Sequence, residues 1–236
     1  MSDERDKAAP PDPESTLGRV LASASRLQEV VPDAVLVGGS AAALFAGHRE
    51  SAGHDHVLAD LAERFDVVLE AIESTDGWVT NRVVPGKLIL GRLGDIEAGV
   101  RQMIRKTPLE TMRVKLPSGG TVVVPTLEET LRIKGFLLVS RNQTRDYLDV
   151  AALVDRMGIA EAAGVLAGID DYYADQHGGG DGVASQCARQ LADPRPADSR
   201  VTRELSRYKG LKPRWHEWGQ TVAICRQLAD HMLDSA

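Results

Sequence analysis

The sequence predicts an α+β fold: a mixed sheet flanked by helices, followed by a helical C-terminal region. Three observations carry this reading. Between residues 78 and 124, short apolar-rich runs are separated by Pro85-Gly86, Gly94-Asp95 and Ser118-Gly119-Gly120, which are hairpin turn signals. From residue 126 onward apolar positions recur at helical spacing. Near the start, the apolar run Val35-Leu36-Val37 breaks at Gly38-Gly39-Ser40 directly into an Ala-rich helix, a strand–turn–helix junction.

Taken in order, residues 1–15 hold five acids and three prolines with almost nothing to bury, and are expected to form a disordered tail. Over 16–30, Leu17, Val20, Leu21, Ala24, Leu27 and Val30 follow a helical period, and Pro32-Asp33 ends it. The helix over 41–46 is closed by Gly47. Residues 57–74 read as an amphipathic helix with Val57, Leu61, Phe65, Val68, Leu69 and Ile72 on one face. Strands are expected over 78–84, 87–93, 96–104, 113–116 and 121–124. Thr126, with Glu129 three residues on, forms a capping-box pattern for a helix reaching about residue 139. Further helices are predicted over 145–157, 159–173, 183–191 and 215–233, with a Gly-rich loop at 177–182 and a Pro-containing linker at 193–196. The expected organisation is thus a tail (1–15), an α/β domain (16–125) and a helical region (126–236).

A chain of 236 residues with 43% hydrophobic and 26% charged residues is of ordinary globular composition. Its 28 basic and 34 acidic residues sum to −6, which argues against wholesale wrapping of nucleic acid and leaves room for a local basic face. Cys187 and Cys225 read as inert buried thiols in a reducing compartment. No apolar run approaches the roughly 20 residues of a membrane span. The N-terminus is polar, without a signal-peptide pattern. A cytoplasmic protein with no membrane partner is expected.

The chemistry-bearing residues fall into three groups. Gly38-Gly39 lets the backbone approach a ligand closely, and the helix N-terminus with Ser40 offers donors to a phosphate; a plain turn with a Ser cap is the structural alternative. Gly53-His54-Asp55-His56 supplies a carboxylate and two imidazoles. If it is a strand, Gly53 and Asp55 share one face and the histidines take the other, so His48, His54, Asp55 and His56 could not all converge on one transition metal. Glu97, or Asp95 at the preceding turn, would place another carboxylate on a neighbouring strand. In the third group, Lys134 and Arg141 lie about two helical turns apart, and Arg145 and Asp149 are spaced i,i+4.

Gly38-Gly39-Ser40, His48-Arg49-x-Ser51, Asp55, Lys134 and Arg145-Asp146-x-x-Asp149 with its trailing Leu153 together resemble the AbiEii/AbiGii toxins, MenT-related members of the polymerase-β-like nucleotidyltransferases. The resemblance covers roughly residues 35–158. It implies a nucleotidyltransferase-like fold and transfer of a nucleotide from an NTP to an acceptor hydroxyl, such as one on tRNA. It also implies Mg²⁺ as the metal and an antitoxin protein as partner. On this resemblance Gly38, Gly39, Ser40 and Arg49 bind the nucleotide, and Asp55 holds metal with Glu97. Ser51 lies beside the site, Lys134 contacts phosphate, and Asp146 orients Lys134 or the nucleotide. Arg141 and Arg145 are candidates for contact with an RNA backbone.

Gly53 stands where the family has its first metal-binding Asp. That departure motivates a second reading, a catalytically impaired relative serving as a nucleotide- or partner-binding module. A transferase acting on a small-molecule hydroxyl is the third.

Overall fold

The computed structural model describes residues 11–176, 180–208 and 210–234. Most of the expected tail, and residues 177–179 of the expected Gly-rich loop, lie outside them. The chain divides into two compact units. One comprises Glu50–Thr126 with the described part of the segment ending at Leu44. The other comprises Phe45–Arg49 and the described residues from Leu127 onward.

The first unit opens with α1 (Thr16–Val30), whose Ser15 side chain accepts from the Gly18 N–H at 3.0 Å and caps the helix. Then come β1 (Val35–Val37), α2 (Gly38–Ala46), β2 (Gly53–Leu58), α3 (Phe65–Glu73), β3 (Trp78–Val84), β4 (Leu88–Leu93) and β5 (Ile96–Gln102). The sheet order is β1-β2-β5-β4-β3. β2 and β5 are parallel, and the remaining neighbours are antiparallel. One sheet face packs its apolar residues with α1 and α3, burying Leu27, Leu58, Phe65, Val68, Ile72, Trp78, Ile89, Ala98 and Val100. β6 (Thr111–Lys115) and β7 (Thr121–Pro125) form a separate hairpin. Gln28 of α1 both donates to and accepts from the Val123 backbone, at 2.9 and 2.7 Å, which satisfies polar groups on β7.

The helix expected over 57–74 is corrected. Residues 53–58 alternate half-buried and buried, and Val57 and Leu58 pair with Arg101 and Gln102 of β5, so the strand runs on through Leu58. The helix begins at Phe65. The spacing of Val57, Leu61 and Phe65 by four imitates one helical face, but Leu61 is buried from the intervening turn.

The second unit holds α4 (Leu127–Arg141), α5 (Thr144–Met157), α6 (Ile159–Ala167), α7 (Asp170–Tyr173), α8 (Val183–Ala192) and α9 (Trp218–Asp234). The single helix expected over 159–173 is broken at Gly168. Trp215, the first residue of the segment expected over 215–233, ends a short 3₁₀ turn, Pro213–Trp215, and the helix starts at Trp218. Both cysteines are free and buried, and burial pushes the Cys187 thiol up to about 12. No helix among the described residues is long and apolar enough to cross a membrane.

Candidate functional site

The first cluster is built on β2. The β1–β2 register sets Val37 opposite Asp55, so the chain leaving β1 turns into α2 directly beside that carboxylate. Gly38 makes the turn at φ +78°, where L side chains are strained. A Cβ there would stand 3.6 Å from Asp55 Oδ2, so the backbone passes the carboxylate in van der Waals contact. The positive end of α2 is thereby held near Asp55, with Gly39 in its first turn. Ser40 is fully buried, and its hydroxyl donates to the Gly53 carbonyl at 2.6 Å. Ser51 donates to the same carbonyl at 3.2 Å. Both serines therefore fasten the start of β2.

Strand alternation places Gly53 and Asp55 on the face opposite the α1/α3 core, and the parallel register sets Glu97 beside Gly53 and Gly99 beside Asp55. Asp55 and Glu97 thus share one face on adjacent strands, while Asp95 precedes β5. A Cβ at residue 53 would stand 2.7 Å from the Glu97 carbonyl oxygen and 2.9 Å from its Cβ. Glu97 already occupies the space into which a residue-53 side chain would grow. Arg101 Nε approaches Asp55 Oδ1 at 3.3 Å, and both side chains are about half exposed (47% and 48%). On the core face, His54 bonds Ser23 Oγ at 3.0 Å, and its ring lies edge-on to that of His56. Burial lowers His54 to about 4 and holds His56 well below the ordinary imidazole range. They are neutral core histidines facing away from Asp55.

The second cluster lies in the helical unit and centres on Asp149 of α5, which is fully buried. Its Oδ1 accepts from Arg49 Nε at 2.7 Å and His48 Nε2 at 2.8 Å; its Oδ2 accepts from the other arm of the Arg49 fork at 3.0 Å and pairs with Lys134 Nζ at 2.7 Å. Burial alone would raise this carboxyl, but Lys134, Arg49 and His48 hold it well below the ordinary carboxylate range. Burial lowers His48 against the pull of Asp149, so its ring is neutral at pH 7. Lys134 is 2% exposed. Arg49 and Lys134 thus converge on one buried carboxylate.

Of the two roles expected for Asp146, orienting Lys134 or the nucleotide, the pairing with Lys134 is not observed. Asp146 pairs with Arg141 at 2.5 Å, and Lys134 pairs with Asp149. Asp149 itself binds Arg49, Lys134 and His48, where the i,i+4 spacing pointed to Arg145. Arg101 and Gly99 were not singled out in the sequence, because only the β2–β5 register brings them to Asp55.

Two Helicobacter pylori structures superpose on the chain. One, a candidate nucleotidyltransferase, has a TM-score of 0.53 at 14% identity, covering 93% of this chain and 94% of its own. The other, JHP933, has a TM-score of 0.51 at 15% identity, covering 94% and 93%. Among curated sequences, the chain is 34% identical over 259 residues to the heme uptake protein MmpL11 of Mycobacterium tuberculosis, a match covering 98% of this chain. It is 39% identical over 132 residues, or 56% of this chain, to the mycolic acid-containing lipids exporter MmpL11 of Mycolicibacterium smegmatis. These matches span 24% and 13% of the lengths of the two relatives. No protein-family model matches. At these structural identities the likeness is one of fold: the chain has a nucleotidyltransferase-like fold.

Proposed function

We propose that this protein transfers a nucleotide from an NTP to an acceptor hydroxyl. The observation that carries the reading is the contact of the Gly38 turn with Asp55, which joins a helix N-terminus to a carboxylate strand. Backbone donors at Gly38 and Gly39 would receive phosphate oxygens, with Ser40 and Ser51 holding β2 in register below them. Asp55 and Glu97, two carboxylates on one exposed face, fit a Mg²⁺ ion that completes its shell with water and substrate phosphates. When bound, that ion would neutralise the triphosphate and lower the pKa of the attacking hydroxyl. Arg101 would lose its partner Asp55 to the ion and turn toward phosphate.

Within the helical unit Lys134 and Arg49 converge on Asp149, and the resemblance to the toxin family gives the lysine matching Lys134 a phosphate contact. Arg141 orients Asp146 within α5. The resemblance to the AbiEii/AbiGii toxins supports an RNA acceptor and control by an antitoxin protein.

The test is transfer of label from each α-labelled NTP to total bacterial RNA with Mg²⁺. Wild type should label RNA, and Asp55→Ala should lower the rate by at least about 100-fold, the scale of losing several kcal/mol of metal-assisted stabilisation. Equal labelling by both proteins would defeat the assignment.

A second reading, a nucleotide- or partner-binding module without turnover, is favoured by the Arg101–Asp55 pair and by Gly53 packed against Glu97. NTP binding by calorimetry with no label transfer would select it.

A further inference from the structure

We propose that the face of the sheet carrying Asp55 is a track for the phosphodiester backbone of single-stranded RNA, running from Arg82 at the free edge to Asp55. The identity of the strand as the acceptor rests on the nucleotidyltransferase reading. The geometry of the track does not.

The register aligns Arg82 on β3, Leu90 on β4, Gly99 on β5 and Asp55 on β2 in one row. Leu90 and Gly99 form a low floor: a Cβ at Gly99 would stand 2.7 Å from Leu90 Cδ2 and 3.1 Å from Asp55 Oδ1. Arg92, two residues from Leu90, stands on one side of this floor. Arg101, two residues from Gly99, stands on the other. All three arginines are exposed. Arg82 and Arg92 make no side-chain hydrogen bond or ion pair among the described residues.

Arg82 reaches this face through an irregularity. The β3–β4 register slips between Thr80 and Arg82, leaving Asn81 as the extra residue. Thr80 accepts from Trp78 Nε1 on the core side, so strict alternation would send Arg82 to that side too. The bulge turns it outward instead, the re-aiming that bulges near functional sites perform. Three guanidiniums around an apolar floor, one shared with Asp55 and one set across from Glu97, leave this face net positive, which suits a polyanion. Three strand spacings separate Arg82 from Asp55, about 14 Å, a row that suits consecutive phosphodiesters better than one triphosphate anchored at Asp55.

The test is fluorescence anisotropy of a short unstructured RNA oligonucleotide, in EDTA and over a range of salt, with circular dichroism confirming that each variant folds. Binding by the double variant R82Q/R92Q should fall about tenfold at low salt. The slope of log affinity against log salt should flatten by about 1.4, two phosphate contacts of roughly 0.7 each. Arg203→Gln, an exposed arginine of the helical unit, should match wild type. Asp55→Ala should retain RNA binding, so a failed transfer assay and a failed track remain separate results. Either of two results would overturn the proposal: no RNA binding by wild type, or double-variant affinity within about twofold of wild type.

Discussion

Gly53 is the residue at which family pattern and local packing disagree most. As a departure from a two-carboxylate strand it looks like a lost ligand, yet the neighbouring strand has closed over the position. With the Glu97 carbonyl and Cβ under 3.0 Å from any residue-53 Cβ, a side chain requires β2 and β5 to shift. Gly53→Asp is therefore expected to lower stability by about 1–3 kcal/mol, the range for overpacking. Urea denaturation showing no loss would mean that the strands part readily and that the ligand can simply be restored. Asp149 is the opposite kind of residue, inconspicuous in sequence and central in space. Asp149→Asn leaves Arg49 and Lys134 buried without their counter-charge, and should cost about 3–5 kcal/mol. A melting temperature unchanged by that substitution would show that the two cations have found other partners.

At the scale of elements, β2 works on two sides. One side carries Asp55 toward the proposed chemistry. The other carries His54, His56 and Leu58 into the core, so the carboxylate is positioned by residues pointing away from it. β3 does the same through its bulge. Deleting Asn81 would restore strict alternation and flip either the residues before it or those after it to the wrong face. The deletion should cost at least about 2 kcal/mol, because a guanidinium or Trp78 changes sides. A deletion variant with wild-type denaturation would mean that the extra residue does not set which way β3 faces.

For the whole molecule, buried neutral histidines in both units set the response to acid. His48, His54 and His56 all bind protons less readily folded than unfolded, because burial disfavours their charged forms. Between the unfolded value of 6.5 and the lowered folded values, the unfolded chain binds more protons, so stability falls as pH falls. For His54 the window runs from 6.5 down to about 4, worth roughly 3 kcal/mol when traversed. The carboxyl of Asp149, held low by its cations, loses its contribution only at still lower pH. Thermal melts should therefore be level above pH 7 and decline steadily from pH 6.5 to 4.5. A flat profile across that range would contradict the buried neutral state of these rings.

The sequence by itself determined the fold class, the α1 and β3 boundaries and the Gly38 turn. These depend on local signals: apolar period, turn residues, and a glycine at positive φ. It also brought forward Asp55, with Glu97 or Asp95 as the carboxylate of a neighbouring strand. Only the tertiary structure decided that Val57 belongs to a strand, because a spacing of four residues is shared by a helix face and a strand–turn–helix. It also decided that Lys134 and Arg49 meet on Asp149, at sequence separations of 15 and 100. Arg101 and Arg82 came to the face of Asp55 through a parallel register and a bulge. Register and bulges are settled by which faces bury best across strands, and neither is written in the residues of one strand alone.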